Sequence, residues 1–178
     1  DFPNLQSLEL LNVPISDGGL AHLKGLTKLQ ALDLRGTRIT DAGLAHLAGL
    51  EQLRELDLSR TKITDNGLAH LKGLTRLQTL MLAVPQLTDA GLAHLKGLKE
   101  LRDLTLTGTK VTDEGLAHLK GLSELQKLGL AFTYISDAGL NELKGLSQLQ
   151  ALDVGETSVT DSGVRDLQKE LPKVQVKR

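Results

Sequence analysis

Residues 29–52 read LQALDLRGTRITDAGLAHLAGLEQ, and the hydrophobic period changes half way along this stretch. In the first half, Leu32 and Leu34 flank Asp33, which is the two-residue alternation of a strand with one buried face. In the second half, Leu44 and Leu47 lie three positions apart, which is helical spacing. The stretch therefore predicts a strand, a turn and a short helix.

The same unit recurs every 24 residues from Leu5 to Leu149, with no insertion across seven copies of the pattern LxxLxLxxTxITDxGLxxLxGLxx. An eighth, shorter copy begins at Leu171, after a 22-residue step. We predict a single solenoid domain over residues 1–178, with the terminal strand 171–178 as a C-terminal cap and an N-terminus cut from a longer chain. The seven repeats are predicted at 5–28, 29–52, 53–76, 77–100, 101–124, 125–148 and 149–170.

Each predicted helix has a polar start, and most have a glycine stop. The N-cap position holds Ser16, Thr40, Thr64, Thr88, Thr112, Ser136 and Thr160. An Asp follows each of them, where the helix dipole favours negative charge, and we expect Gly25, Gly73, Gly97, Gly121 and Gly145 to be C-terminal caps. Parallel strands lie about 4.8 Å apart and helices about 10 Å apart, so the stack must curve with its strands on the concave side.

Composition agrees with a repetitive core and excludes several classes of protein. The 178 residues include 42 Leu, no Cys and 2% aromatic residues, and their formal net charge is −1. The missing Cys excludes disulfides and thiolate chemistry, and the charge balance argues against nucleic-acid binding. No apolar run approaches the roughly 18–20 residues of a membrane-spanning helix, so this segment is not expected to insert into a membrane.

The half-repeat at residues 29–47 resembles the leucine-rich repeat class in which LxxLxLxxC/N/TxITDxGLxxL recurs, known from ribonuclease-inhibitor-like and F-box-associated solenoids. The recurring TDAGLAHLKGL is also similar to long bacterial arrays of this class, notably those of planctomycetes. The resemblance implies an α/β fold, a right-handed horseshoe with a parallel concave β-sheet and short convex helices. It also implies that the concave face binds proteins or other ligands.

The histidines form one column, His22, His46, His70, His94 and His118. Zinc needs ligand nitrogens at about 2.0–2.1 Å, whereas adjacent helices hold these side chains about 10 Å apart. We therefore predict exposed structural histidines, no metal and no cofactor. The glycines recur with the repeat rather than in a phosphate-binding loop, and no Ser/His/Asp set converges, so the chain is not predicted to be an enzyme.

A row of carboxylates is predicted on the concave sheet, formed by Glu9, Asp33 and Asp57 with Glu55 beside them. Arg35 and Arg60 are expected to be close enough to pair with this row. The row could attract the basic side chains of a partner. Alternatively, Asp could be part of the repeat pattern at this position, since it recurs as Asp153.

Repeats four to six depart most from the pattern and are expected to present a nearly uncharged patch. The predicted contact residues there are Met81, Ala83, Val84, Thr105, Thr107, Ala131, Phe132 and Tyr134. An aromatic anchor with a polar rim is typical of a protein interface. Repeat drift, with Phe132 covering its own loop, is the alternative.

These observations lead to one hypothesis and two alternatives. The hypothesis is a non-catalytic module, expected to be a monomer, that binds a protein or peptide through repeats four to six, with Asp33, Arg35, Asp57 and Arg60 steering the partner. The alternatives are a spacer segment of a longer array and the specificity domain of a larger enzyme or receptor. An exposed N-terminal coil could promote association between copies of the chain. The sequence does not indicate a cellular compartment.

Overall fold

The computed structural model describes residues 2–178, which form one parallel sheet of eight strands in chain order. The strands are β1 (Ser7–Glu9), β2 (Ala31–Asp33), β3 (Glu55–Asp57), β4 (Thr79–Met81), β5 (Asp103–Thr105), β6 (Lys127–Gly129), β7 (Ala151–Asp153) and β8 (Gln175–Lys177). Each strand has the three residues that the alternating segment supplies. The predicted α/β solenoid is thus confirmed, with every repeat returning the chain beside its predecessor.

Short helices connect the strands. They are α1 (Asp17–Leu20), α2 (Asp41–Leu44), α3 (Asp89–Leu92), α4 (Asp113–Leu116), α5 (Asp137–Leu143) and α6 (Asp161–Glu170). Most run on into a 3₁₀ turn, and the third repeat has only a 3₁₀ segment; the 3₁₀ segments are Ala21–Leu23, Ala45–Leu47, Gly67–Leu71, Ala93–Leu95 and Ala117–Leu119. None of the described helices is long and apolar enough to cross a bilayer.

The pairing register repeats the sequence period. Leu8 pairs with Leu32, Leu32 with Leu56, and the same 24-residue step continues to the last strand. There the expected 22-residue step is wrong, because Leu152 pairs with Val176 and Asp153 with Lys177. Leu171 is the C-cap residue of α6, which is ten residues long, and it does not occupy the first position of a repeat.

A continuous column of aliphatic side chains fills the space between the strands and the helices. It extends from Leu20 to Val174, and almost all its leucines are completely buried. One Leu at a given position packs on its copies in the neighbouring repeats, so each repeat completes the core of the next. This explains why the core needs few residue types.

Six of the seven predicted N-cap residues directly precede an α-helix, and three of these, Thr88, Ser136 and Thr160, cap it with their side chains. The other three do not cap their helix with a side-chain bond, and Thr64 precedes a 3₁₀ segment whose N-cap is Asn66. Thr40, for example, adopts an extended conformation before α2 and makes no side-chain bond to that helix. Its backbone N–H and hydroxyl instead donate to the two carboxylate oxygens of Asp17 in the preceding repeat, at 2.8 and 2.7 Å. The Asp of the repeat is therefore a clamp between repeats as well as a favourable charge at the helix start.

The glycines expected as helix C-caps do not adopt the left-handed conformation. Lys24 ends its 3₁₀ turn in the right-handed region, and the positive-φ glycines are Gly36 and Gly108, in the loops after the strands. The same loop position is left-handed in other repeats even where it holds a side chain, at Asn12, Arg60, Phe132 and Glu156. The chain thus makes its sharp turn at the strand end of the repeat.

Candidate binding surface

The strand register arranges the exposed side chains of the sheet in two rows. The first row, at the last position of each strand, contains Glu9, Asp33, Asp57, Met81, Thr105, Gly129, Asp153 and Lys177. The second row, at the first position, contains Ser7, Ala31, Glu55, Thr79, Asp103, Lys127, Ala151 and Gln175. The Leu or Val between them faces the core, so these rows are the surface that the sheet presents to a ligand.

The N-terminal part of this surface is an acidic depression. It holds Glu9, Asp33, Glu55 and Asp57, and Arg35 is its single basic residue. A guanidinium nitrogen of Arg35 lies 3.0 Å from a carboxylate oxygen of Asp33, and its Nε lies 3.8 Å from Asp57. Four carboxylates facing one guanidinium leave this end of the sheet negative, as the sequence predicted.

Arg60 does not pair with the acidic row. It lies in the loop after β3, where its backbone is left-handed and its N–H donates to Ala83 at 3.0 Å. Arg60 therefore lies at the rim of the sheet. It makes no ion pair with any residue from 2 to 178. The expectation that Arg60 pairs with this row is therefore wrong, whereas Arg35 does pair with it.

The acidic residues of the first row also shape the backbone. The carboxylates of Asp33, Asp57 and Asp153 each accept an N–H from the residue two positions later, at 2.9, 2.8 and 3.0 Å. Such a bond stabilises the turn that follows the strand. The recurrence of Asp at this position thus has a local structural cause besides any role in recognition.

The middle of the sheet carries fewer exposed contact residues than the sequence predicted. Met81, Ala83, Thr105 and Thr107 are partly exposed, as expected. Ala131 is buried and Val84 is completely buried, so neither is presented to a ligand. The patch is also not uncharged, because Asp103 and Lys127 occupy the second row beside Thr105, with 3.8 Å between their charged groups.

The burial of Val84 follows from Pro85. In repeats two, three, five and six the residue at the Pro85 position is a buried Thr whose hydroxyl donates to a carbonyl of its own turn, as Thr61 does to Leu58 at 2.6 Å. A residue before proline is restricted to extended conformations and a β-branched residue disfavours a positive φ, so Val84 does not adopt the left-handed backbone of this position. Its side chain occupies the core, and its N–H donates to the carbonyl of Leu82. The side chain of Gln86 donates to Ile63 at 2.6 Å, which replaces the backbone bond made by neighbouring repeats.

Phe132 and Tyr134 lie on the loop edge of the solenoid rather than in the rows of the sheet. Their exposed fractions are 63% and 68%. They line a shallow depression together with Glu156, Thr157 and Ser158. Phe132 is therefore mostly exposed to solvent and does not fold over its own loop.

The charged C-terminal end of the sheet was not predicted from the sequence. Lys177 donates to Asp153 at 2.8 Å, and this hydrogen bond, together with one from the backbone of Gly155, lowers the pKa of the Asp153 carboxyl below its ordinary value. The signal that would have found this pair is a 24-residue step from β7 to β8. The 22-residue step placed Gly155, and not Asp153, opposite Lys177.

The five histidines remain on the helical side, away from the acidic depression. Within residues 2–178, no group of three or more His, Cys, Asp or Glu side chains has a metal-binding arrangement. The acidic depression contains four carboxylates and an arginine, and its lining includes no histidine.

Similarity to known proteins agrees with the architecture. Residues 3–63 match the family model described as Leucine rich repeat, and no match was found among curated proteins. Internalin C2 of Listeria monocytogenes is 28% identical over 96% of this chain and 80% of its own, with a TM-score of 0.71.

Two further solved structures share the fold at lower identity. An internalin, inlF, of Listeria monocytogenes is 21% identical over 96% of this chain and 52% of its own, with a TM-score of 0.66. The plant peptide hormone receptor RGFR1, solved in complex with RGF2, is 20% identical over 99% of this chain and 28% of its own, with a TM-score of 0.68. The repeat pattern, the eight-stranded parallel sheet and these similarities support a leucine-rich repeat protein, folded as a leucine-rich repeat solenoid.

Proposed function

We propose that the chain is a non-catalytic recognition module that binds a protein or peptide on the concave face of its sheet. The observation that carries the proposal is that the buried positions of the repeat are nearly constant while the exposed positions vary. The core leucines and the Asp clamps recur in nearly every repeat, whereas the first row changes from Glu and Asp through Met, Thr and Gly to Asp and Lys. Variation at the exposed rows of a scaffold whose core is repetitive is what recognition of an irregular ligand requires.

The charge distribution indicates the kind of partner. The acidic depression lies mainly on β1 to β3. The middle of the sheet presents Met81, Thr105 and Thr107, with Ala83 at its rim. We propose that basic side chains of the partner lie over Asp33 and Asp57, while an uncharged segment contacts Met81. Arg35 would orient that contact, and Arg60 would meet the partner from the loop edge. The remaining proposed contact residues are Phe132 and Tyr134.

The comparisons add support at the level of the fold. A solenoid of the same architecture forms a complex with RGF2 in the plant peptide hormone receptor RGFR1. We further propose that residues 1–178 form one domain of the 24-residue class, similar to bacterial TDxGLxxLxGL arrays and to ribonuclease-inhibitor-like solenoids. The 24-residue register of all seven strand pairs supports this assignment.

Selection from a random peptide library tests the proposal, because it requires no identified partner. The immobilised chain is used to enrich peptides, whose dissociation constants are then measured by calorimetry against three proteins: the wild type, Thr105→Arg on the sheet and Ala45→Arg on the opposite side. Ala45 is an exposed residue of a 3₁₀ turn, so it controls for added charge and bulk.

We expect Thr105→Arg to weaken binding at least about tenfold, as truncation or blocking of a central interface position does, and Ala45→Arg to leave it unchanged. We also expect the enriched peptides to be basic. Equal effects of the two substitutions, or enrichment of acidic peptides, would contradict the proposal.

A further inference from the structure

Two bulky residues occupy positions whose backbone conformation suits glycine. The loop position after each strand has a positive φ in six repeats, and in repeats two and five it holds Gly36 and Gly108. In repeats six and seven it holds Phe132, with a φ of 58°, and Glu156, with a φ of 55°. The left-handed region is unfavourable for both residues, so their side chains are displayed at an energetic cost that glycine would avoid.

The backbone holds these two residues side by side. The N–H of Phe132 donates to Gly155 at 2.9 Å, which joins the two adjacent loops at the residue before Glu156. Tyr134 is fixed in the same way, because its N–H donates to Val111 at 3.0 Å. Phe132, Tyr134 and Glu156 then line one depression, with both rings mostly exposed to solvent.

The depression has a negative charge without an internal partner. Glu156 is the one carboxylate in its lining, and it forms no ion pair within the described part of the chain, residues 2–178. The other lining residues, Thr133, Thr157 and Ser158, are uncharged. Two aromatic faces beside a free carboxylate therefore form a surface that complements a planar cation.

We propose that Phe132, Tyr134 and Glu156 form a subsite for the guanidinium group of an arginine side chain in a protein partner. A guanidinium group stacks on aromatic rings through cation–π contact and pairs with both oxygens of a carboxylate. An ammonium group would make a single, more strongly hydrated contact, so arginine fits better than lysine. The subsite rests on the proposed function, whose partner would supply the arginine.

The chain contains a built-in reporter for this subsite. Tyr134 is its single tyrosine and it has no tryptophan, so the tyrosine fluorescence of the protein originates from the subsite alone. The full chain is titrated with N-acetyl-arginine amide, with the neutral isostere N-acetyl-citrulline amide and with N-acetyl-lysine amide. Backbone amide chemical shifts of residues 132–158 are recorded in parallel.

We expect a saturable change in Tyr134 emission with the arginine amide, a weaker one with the lysine amide and none with the citrulline amide. Phe132→Gly, which suits the left-handed backbone, and Glu156→Gln, which removes charge at constant size, should each weaken binding roughly two- to fivefold. Asn12→Gly changes the equivalent loop position in the first repeat, where φ is 57°, and should change nothing.

A response that does not saturate, an equal response to citrulline or lysine amide, or full binding by both variants would overturn the proposal. The outcome is separable from that of the proposed function. If Thr105→Arg abolishes binding of the selected peptides while the arginine amide does not bind, the arginine subsite alone fails. If the arginine amide binds but Thr105→Arg has no effect on the peptides, concave-face binding alone fails.

Discussion

The carboxylate of Asp89 joins the fourth repeat to the fifth by accepting two hydrogen bonds from Thr112, one from its N–H at 2.8 Å and one from its hydroxyl at 2.7 Å. Equivalent pairs are Asp17 with Thr40, Asp41 with Thr64, Asp65 with Thr88, Asp113 with Ser136 and Asp137 with Thr160. The series ends at Asp161, which pairs with Arg178. Each internal repeat is thus tied to the next on the helical side, as the sheet ties them on the other.

Asp89→Ala should lower the free energy of unfolding by about 2–3 kcal/mol, because hydrogen bonds to charged groups contribute more than neutral ones and the N–H of Thr112 loses its acceptor. Denaturant unfolding followed by circular dichroism measures the change. Asp161→Ala is the matched control, since Asp161 has the same place in its repeat but is exposed and has no following Thr. Its loss should be within about 1 kcal/mol. Equal losses would contradict the clamp.

Gly115→Ala should destabilise the protein by about 1–3 kcal/mol, the usual penalty for overpacking. A Cβ at Gly115 would overlap the Asp89 carboxylate oxygen, so the clamp explains the fixed Gly of the TDxG motif. Gly18→Ala in α1 is the control, because a Cβ there meets nothing within 4 Å and Ala favours a helix. Thermal unfolding should show no loss for Gly18→Ala. Similar behaviour of the two variants would remove the steric explanation.

Gly108→Ala should destabilise by about 1–2 kcal/mol, although a Cβ at Gly108 would meet nothing within 4 Å. The penalty is conformational, because φ at this residue is 72°. Gly97→Ala is the comparison: its surroundings are equally open but its φ is not in the left-handed region. The urea midpoints of unfolding of the two variants test this difference. A larger loss of stability for Gly97→Ala would contradict the conformational explanation.

Val84→Ala should destabilise by about 1.5–3 kcal/mol, since its side chain is fully buried, and should not alter the affinity for a selected peptide. Met81→Ala should show the opposite behaviour, with a small loss of stability and weaker binding, because Met81 lies in the exposed first row. Calorimetry and denaturant unfolding of both variants separate core from surface. Weaker binding by the folded Val84→Ala variant would contradict this prediction and indicate that Val84 contributes to the binding surface.

The pair of Asp153 and Lys177 should contribute to stability in a pH-dependent way. The Lys177 hydrogen bond lowers the pKa of Asp153 in the folded state, so its contribution is present above the unfolded pKa and is lost as the pH falls through the folded pKa. The pair is largely exposed, so the contribution should not exceed about 1 kcal/mol. In Lys177→Met, the pKa of Asp153 measured by NMR should rise toward its ordinary value. An unchanged pKa would exclude Lys177 as the cause.

Much of the architecture could be predicted because the repeat fixes its own period. Leu32 and Leu44 mark a strand and a helix by spacing alone, and the same spacing in every copy leaves one way to bury all the leucines. The Asp after each N-cap residue was also visible, but its role was not. Helix capping is a local interaction, whereas the bond from Thr112 to Asp89 joins residues 23 positions apart.

What the sequence by itself determined is the set of buried leucine positions that recur in each repeat, because hydrophobic periodicity requires only the neighbours along the chain. What only the tertiary structure decided is where the irregular residues lie. Pro85 turned Val84 into the core, the positive φ placed Phe132 on the loop edge, and the register brought Lys177 to Asp153. Each outcome depends on backbone geometry and on contacts between repeats, which the periodic pattern of leucines does not encode.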